Sequence, residues 1–531
     1  MPRLSGMALP PRSLVRDVVR LATLRGRGML WPRWIFLRAL GLIFLSAFYS
    51  LAFQIRGLIG ERGILPAGDY LHELAVAVPG LLRVWNAPTL FWLGASDHAL
   101  IAVVGAGIVA SLLLVANIAP RIAVAACTVL FLSCIAALQV FSSYQSDGML
   151  LEAGFISIFF APAGLRPGLG RFDPPTRMSL FLLQWEWFRI YFESGVVKLA
   201  SGDVHWRHLT AMDQYYENGP LPAWPGWYVQ QMPHLYHAAT ALLTLVVELV
   251  LVWALFLPRR WRIGCFAIVS ALQVGIIATA NYAFLNYLVL VLGVLLLDDA
   301  AVGAVRERLV PRGWRAQRNA AEVPNAPDPP AAPRGWRAAP ALAAAMALAW
   351  VFIATLAPLF MAGGLYAFTA PERVLEPFRI ANQYGLFATM TEARYEIEFE
   401  GTRDGTTWRT YRFRYKPQDP RERPGVYAPY QPRFEWNLWF ASLEQWQASP
   451  WVVLTQERLL ENSPTVLALF RENPFPGSPP VAVRTVLWRY WFTDLATKRA
   501  TGNWWHREKL GPFAGTLARG ADGRLTLRAS P

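Results

Sequence analysis

Hydrophobic residues run in long blocks through the first two thirds of the chain and then give way to short alternations. Blocks long enough to cross a bilayer, which takes about 20 residues, occupy 34–53, 98–118, 122–141, 148–162, 180–200, 238–257, 264–280, 282–297 and 339–361. The fourth is short enough to be re-entrant, and the seventh and eighth almost merge around Asn281, so eight or nine transmembrane helices are expected. Ahead of them, Leu14, Val15, Val18, Val19 and Leu21 fall at helical spacing with Arg12, Arg16 and Arg20 on the other side, the pattern of a helix lying on an anionic leaflet. After Met361 the period changes. RYEIEFE at 394–400 and TWRTYRFRY at 407–415 alternate about an Asp404-Gly405 turn, VAVRTVLWRYWF at 481–492 reads as a strand, and 516–528 reads as a hairpin closing on Asp522-Gly523. Residues 434–448 and 457–470 read as helices.

The expected fold is a multipass α-helical membrane bundle followed by a β-rich extracytoplasmic α+β domain. Its parts are a basic N-terminal segment at 1–33, the bundle at 34–300, a Pro/Arg-rich linker at 301–338, a last transmembrane helix at 339–361 and the β-rich domain at 362–531. The linker carries PRGWRA twice, at 311–316 and 333–338, which reads as drift in a cytoplasmic linker with Trp314 and Trp336 as interfacial anchors.

Composition supports a membrane protein: 54% of the 531 residues are hydrophobic. A net charge of +14 would suit a nucleic-acid binder, but its placement argues against that partner. Of 50 basic residues four are lysine, and the arginines flank the apolar blocks in alternate connections. That asymmetry puts the N-terminus in the cytoplasm and, with nine helices, everything after Met361 on the far side. Cys127, Cys134 and Cys265 all lie in apolar segments and define no disulfide framework.

The block at 180–200 carries charge. Glu186, Arg189 and Glu193 fall within about 60° on a helix, and Lys198 about 120° from Glu186. A charge at the centre of a membrane helix costs about 2.5–3.5 kcal/mol on insertion scales, so partners or a wet cavity are required. The first three are expected to form an ion-paired stripe that meets Asp147 or Glu152. Lys198 has no acid one turn away; it either snorkels or pairs elsewhere, or serves as a base or nucleophile.

His205 and His208, and His234 and His237, are spaced i, i+3 beside Asp203, Asp213 and Glu217, so a metal site is conceivable, but no HExxH or cysteine pair supports one and no metal is assigned. No P-loop, dinucleotide fingerprint or GxSxG elbow occurs. In the β-rich domain, Tyr384, Gly385, Arg433, Trp436, Trp439 and Phe440 combine aromatic and arginine character of the kind protein interfaces enrich, and are the candidates for client contact.

Five blocks, taken in order, make the sequence resemble the lipase maturation factor family: GLIGERGILPAGDYL at 57–71, SDGMLLEAGF at 146–155, FRIYFESGVVKLASGDVHWRHLTAMDQYYENGPLP at 188–222, NQYGLFATMT at 382–391 and FRYKPQDPRERPGVYAPYQPRFEWNLWFAS at 413–442. The resemblance implies a membrane-embedded factor, resident in the endoplasmic reticulum in animals and in the inner membrane if the chain is bacterial. It implies a chaperone-like role in bringing secreted lipases to their active assembled state, with no cofactor, and partners that are membrane lipid and exported clients. It marks Asp203, Trp206, Asp213, Tyr216 and Pro220 as a signature loop. The membrane half is also distantly similar to the transmembrane domain of vitamin K-dependent γ-carboxylases. There a lysine in a related context, here Gly195-Val196-Val197-Lys198-Leu199 followed by Asp203 and Trp206, is the catalytic base. The alternative expectation is therefore an enzyme using Lys198, with a quinone-like cofactor.

Overall fold

The computed structural model describes residues 24–26, 28–309, 339–361, 370–520 and 522–528. Nearly all of the expected interfacial helix and both copies of PRGWRA lie outside the described residues. Helices α1 (Leu30–Ile59), α2 (Asp97–Val115), α3 (Pro120–Ala137), α4 (Gln145–Phe160), α5 (Arg177–Ala200), α6 (His234–Leu249), α7 (Arg259–Thr279), α8 (Leu285–Gly293) and α9 (Ala339–Met361) correspond to the nine apolar blocks. Local chemistry sets their ends. Ser96 caps α2 by accepting from the Ala99 amide, Pro120 opens α3, Thr176 caps α5, and Gly202, at φ +81°, takes the chain out of α5 in a conformation other residues resist.

Among the described residues six helices are long and apolar enough to cross a membrane: α1, α2, α3, α6 with the tight turn running on to Phe256, α7, and α9 over Ala339–Leu356. A seventh is counted if Leu285–Leu296 and Asp299–Arg308, bent by 105°, form one span. The expectation of eight or nine also included α4 and α5. At 16 residues α4 is shorter than a bilayer, and the apolar stretch of α5 is interrupted by Glu186, Arg189 and Glu193. Both are nevertheless deeply buried, with Met149, Leu150, Leu151, Trp187 and Phe188 in the core.

The C-terminal part is an antiparallel sheet of β1 (Arg394–Thr402), β2 (Trp408–Thr410), β3 (Ala482–Phe492), β4 (Trp505–Pro512), β5 (Thr516–Arg519) and β6 (Leu525–Arg528), in the order β2-β1-β3-β5-β6 with β4 also on β3. β1 pairs with β3 along its whole length, Arg394 opposite Tyr490 and Thr402 opposite Ala482. The alternation at 407–415 predicts a longer second strand than forms. Past Thr410 the Gln418 side chain takes the place of a neighbouring strand, accepting from the Phe413 amide at 2.7 Å and donating to the Tyr411 carbonyl at 3.1 Å. Tyr411 and Phe413 thereby turn into the core. The expected helix at 434–448 forms as α10 (Arg433–Ser442). That at 457–470 starts earlier, as α11 (Trp451–Leu460), and breaks at Asn462, whose φ is +55°, before Pro464 opens a short turn of helix.

The sheet domain shares a core with the bundle. Phe141, in the tight turn that follows α3, packs its ring 5.3 Å from Trp451 of α11, and Asn281, between α7 and α8, donates to the Gly425 carbonyl while accepting from the Tyr427 and Ala428 amides.

Candidate functional site

Residues 382–391 follow no regular secondary structure, yet they lie against α5 in the interior of the bundle. Buried irregular backbone is tolerated only when protein groups satisfy its N–H and C=O. The charges and hydroxyls of α5 do this turn by turn. Arg189 donates to the Asn382 carbonyl at 2.6 Å; Glu193 accepts from the Tyr384 amide at 2.8 Å; Ser194 accepts from the Leu386 amide at 3.2 Å. Lys198 donates to the Leu386 carbonyl at 2.9 Å, and Ser201 donates to the Ala388 carbonyl at 2.8 Å. From α4, Glu152 pairs with Arg189 and accepts from the Asn382 amide, the Asn382 side chain and the Tyr384 hydroxyl. Gln145 accepts from the Gly385 amide at 3.0 Å.

The expected stripe is therefore split. Glu152 joins Arg189, and Glu193 stands 3.9 Å from it. Glu186 does not share in the pairing: it is fully buried, and its carboxyl lies against the backbone of Ala153 without completing a hydrogen bond. Asp147 goes elsewhere, to a two-pronged pair with Arg433 of α10, both contacts at 2.7 Å, with every partner atom buried. Arg433 also donates to the Phe141 carbonyl at 2.9 Å. This pair bolts the sheet domain to α4.

Lys198 neither snorkels nor stays alone. Its ammonium sits 2.9 Å from both carboxylate oxygens of Glu248 on α6 and 2.9 Å from the Leu386 carbonyl, and 5.1 Å from the centre of the Trp206 ring. Three acceptors fill its three donors. Glu248 escaped notice in the sequence because it is fifty residues away, although an acid inside the apolar run 238–257 was the available signal.

The loop after α5 is held by the same segment. Asp203 caps the helical turn Val204–Arg207 through the His205 and Trp206 amides, and its second oxygen accepts from the Met390 amide at 2.7 Å. The Trp206 indole donates to the Phe387 carbonyl at 2.9 Å. Asp213 faces His234 at 3.0 Å, Tyr216 is buried, and the Pro220 carbonyl accepts from Arg394 at 3.2 Å. The histidines do not converge: His205 meets Thr210 at 3.0 Å, His234 meets Asp213, and His237 lies between the rings of Tyr216 and Tyr236. Among the described residues no three acids, histidines or cysteines form a metal-sized cluster.

Lys198 and Glu248 sit on one wall of a cavity of about 570 Å³ that opens between α6 and α7. Its polar lining also includes a relay missed by the sequence reading, Asn286 to Gln273 to Tyr191, each step 2.7 Å. Leu243 of α6 and Ile268 of α7, both on apolar helices, line it and are exposed.

The six expected client contacts are mostly interior. Tyr384, Arg433, Trp436 and Trp439 are buried, because the first two are committed to Glu152 and Asp147 and the tryptophans pack under the domain; Gly385 is half-buried, and Phe440 is exposed.

The lipase maturation factor transmembrane domain matches residues 31–304 and the lipase maturation factor C-terminal domain matches residues 380–515. Lipase maturation factor 1 of Bos taurus is 32% identical, over 94% of this chain and 91% of its own length. The Mus musculus protein of that name is also 32% identical, over 94% and 90%. Lipase maturation factor 2 of Gallus gallus is 31% identical, over 92% and 82%. No solved structure matches the chain.

Proposed function

Because the chain belongs to the lipase maturation factor family, we propose that it is a multipass membrane factor that helps exported lipases fold and assemble, its sheet domain turned toward the client. The observation that carries this reading is the family match across both halves, in a molecule whose second half is wired into the first through α5. The proposed topology has a cytoplasmic N-terminal segment at 1–33, a bundle at 34–300 in which α4 and α5 also cross, a cytoplasmic linker at 301–338, a last crossing at 339–361 and an extracytoplasmic domain at 362–531. The alternating arginines support that orientation. The membrane is the inner membrane in a bacterium and the endoplasmic reticulum in animal relatives.

In this reading the α5 charges and the signature loop are positioning residues, and the client surface centres on Phe440, 46% exposed beside Leu443 on α10. A base at Lys198 is not favoured: its nitrogen is engaged by both Glu248 oxygens and the Leu386 carbonyl, so none of its three donors is left to face a substrate in the cavity. The test is deletion of the gene in its host. The specific activity of a secreted lipase should fall while its synthesis holds, and a photocrosslinker at position 440 should capture that lipase. Unchanged lipase activity would overturn the reading.

A further inference from the structure

A second opening, remote from Lys198, lies where the end of α1 meets the sheet domain. It is a cavity of about 480 Å³ lined by Tyr49, Phe53, Arg56, Arg414, Tyr430 and Glu435, among others. Leu42, Tyr49, Phe53 and Arg56 are all exposed, and their spacing puts them on one face of the helix. That face is a lipid-facing stripe ending in a cation. At about 1.5 Å per residue, α1 rises about 38 Å from Trp31 to Arg56. A Trp anchored at one interface therefore puts Arg56 in the headgroup layer of the opposite leaflet, since the hydrocarbon is about 30 Å thick and the headgroups bring the total to about 40–45 Å.

Both cations are available. The Arg56 guanidinium makes no hydrogen bond or ion pair with the described residues, while the Arg56 carbonyl accepts from the Gly60 amide. Arg414 spends only its Nε, on the Ala468 carbonyl at 3.2 Å, which leaves its terminal nitrogens without a partner among the described residues. Guanidinium groups so presented match phosphate oxygens. Below them Tyr49 and Phe53 meet edge to face at 5.0 Å, and Tyr430 stands 6.3 Å from Tyr49, forming an aromatic wall at the depth where glycerol and the first methylenes of a lipid lie. Glu435 is the acidic lining residue. It is buried, accepts from the Arg414 amide, and burial pushes its carboxyl up to about 7, so near neutrality it cancels less than a full positive charge.

We propose that this groove binds the headgroup of an anionic phospholipid from the leaflet at the Arg56 end of α1, with Arg56 and Arg414 on the phosphate and Tyr49 and Phe53 against the acyl chains. The site is independent of the client and of the Lys198 cavity.

The test uses the full-length protein in neutral detergent, offered phosphatidylglycerol or phosphatidylcholine, with bound lipid counted by native mass spectrometry. Two arginines near a surface predict a preference for phosphatidylglycerol of about tenfold or more. Arg56→Gln with Arg414→Gln should bring the two lipids level, Arg56→Lys with Arg414→Lys should keep part of the preference, and Phe53→Ala should lower retention of both. Because both arginines are exposed, the melting temperature of the double variant should match the parent. Glycerol phosphate, a headgroup without chains, should fail to displace the lipid. Equal retention of the two lipids by the parent, an unchanged preference in the Gln double variant, or displacement by glycerol phosphate, which would mark a site for free anions, would each overturn the proposal.

Discussion

An arginine taken away from Asp147 leaves a carboxylate where no water reaches it. Breaking a buried pair from one side costs about 3–5 kcal/mol, so Arg433→Ala should lower stability by that order, and Arg433→Lys should recover little because a single ammonium nitrogen lacks the planar two-nitrogen fork with which Arg433 spans both Asp147 oxygens and the Phe141 carbonyl. Chemical unfolding of the full chain in detergent measures both. Lys198 invites a cycle. Lys198→Met strands Glu248 and the Leu386 carbonyl and should be severely destabilising. Adding Glu248→Gln should return about 1–3 kcal/mol, because the charge left unpaired is then gone. Independent, additive effects of the two would show that the pair is not coupled.

Two acids of the sheet domain give stability a pH dependence. Glu398 is pushed up from 4.5 to about 7 by burial, against the opposing pull of Arg507, and burial likewise pushes Glu435 up from 4.5 to about 7. The folded chain therefore holds these protons more tightly than the unfolded chain does. Their contribution, at most about 3 kcal/mol each, is complete below about pH 4.5 and is lost as pH rises through 7. The melting temperature should fall between pH 5 and 8, and Glu398→Gln should flatten part of that decline.

At the level of elements, the segment 382–391 is irregular backbone whose hydrogen-bond partners are supplied largely by the side chains of α5. Its fit against α4 depends on a glycine: a Cβ on Gly148 would come 2.6 Å from Asn382 Oδ1, beside the bond the Asn382 amide makes to the Gly148 carbonyl. Gly148→Ala should push Asn382 out, cost about 1–3 kcal/mol, and speed amide hydrogen exchange across 382–391 while leaving β1 and β3 protected. The nine apolar blocks, the strands at 394–402 and 482–492 and the hairpin closing on Gly523 were legible in the sequence because period and turn chemistry are local signals. The partners of the α5 charges were not. Glu248, Asn382 and Arg433 lie 50 to 286 residues from the side chains they satisfy, and nothing in a single sequence ties them together. The same gap put the buried Arg433 and Trp436 among the candidates for client contact. Arg433 and Trp436 carry interface composition, but their interface is internal, with Asp147 and Tyr144. Gln418 is a third case, a side chain that imitates a strand where the alternation at 411–415 predicted a real one.

For the whole molecule, bundle and sheet domain share one continuous core. A chain stopped after Met361 should fail to accumulate, because Arg189, Lys198 and Asp147 would each lose contacts made by residues 382–433. Supplying 362–531 as a separate exported polypeptide should restore its level, as read by immunoblot of membranes. Accumulation of the bundle alone in native amounts would contradict this.

The docking of 382–391 on α5 also sets a schedule for biogenesis. When α5 leaves the ribosome, the backbone groups that will neutralise its polar face have not been made, and about 190 residues of translation separate the two. At roughly 5–20 residues per second, α5 must wait about 10–40 s. Through that interval it carries Glu186, Arg189, Glu193 and Lys198 into an unfinished membrane domain, with only its helical neighbours for shelter. The chain thus has a vulnerable stage of its own, at which a membrane insertase or a protease would have time to act.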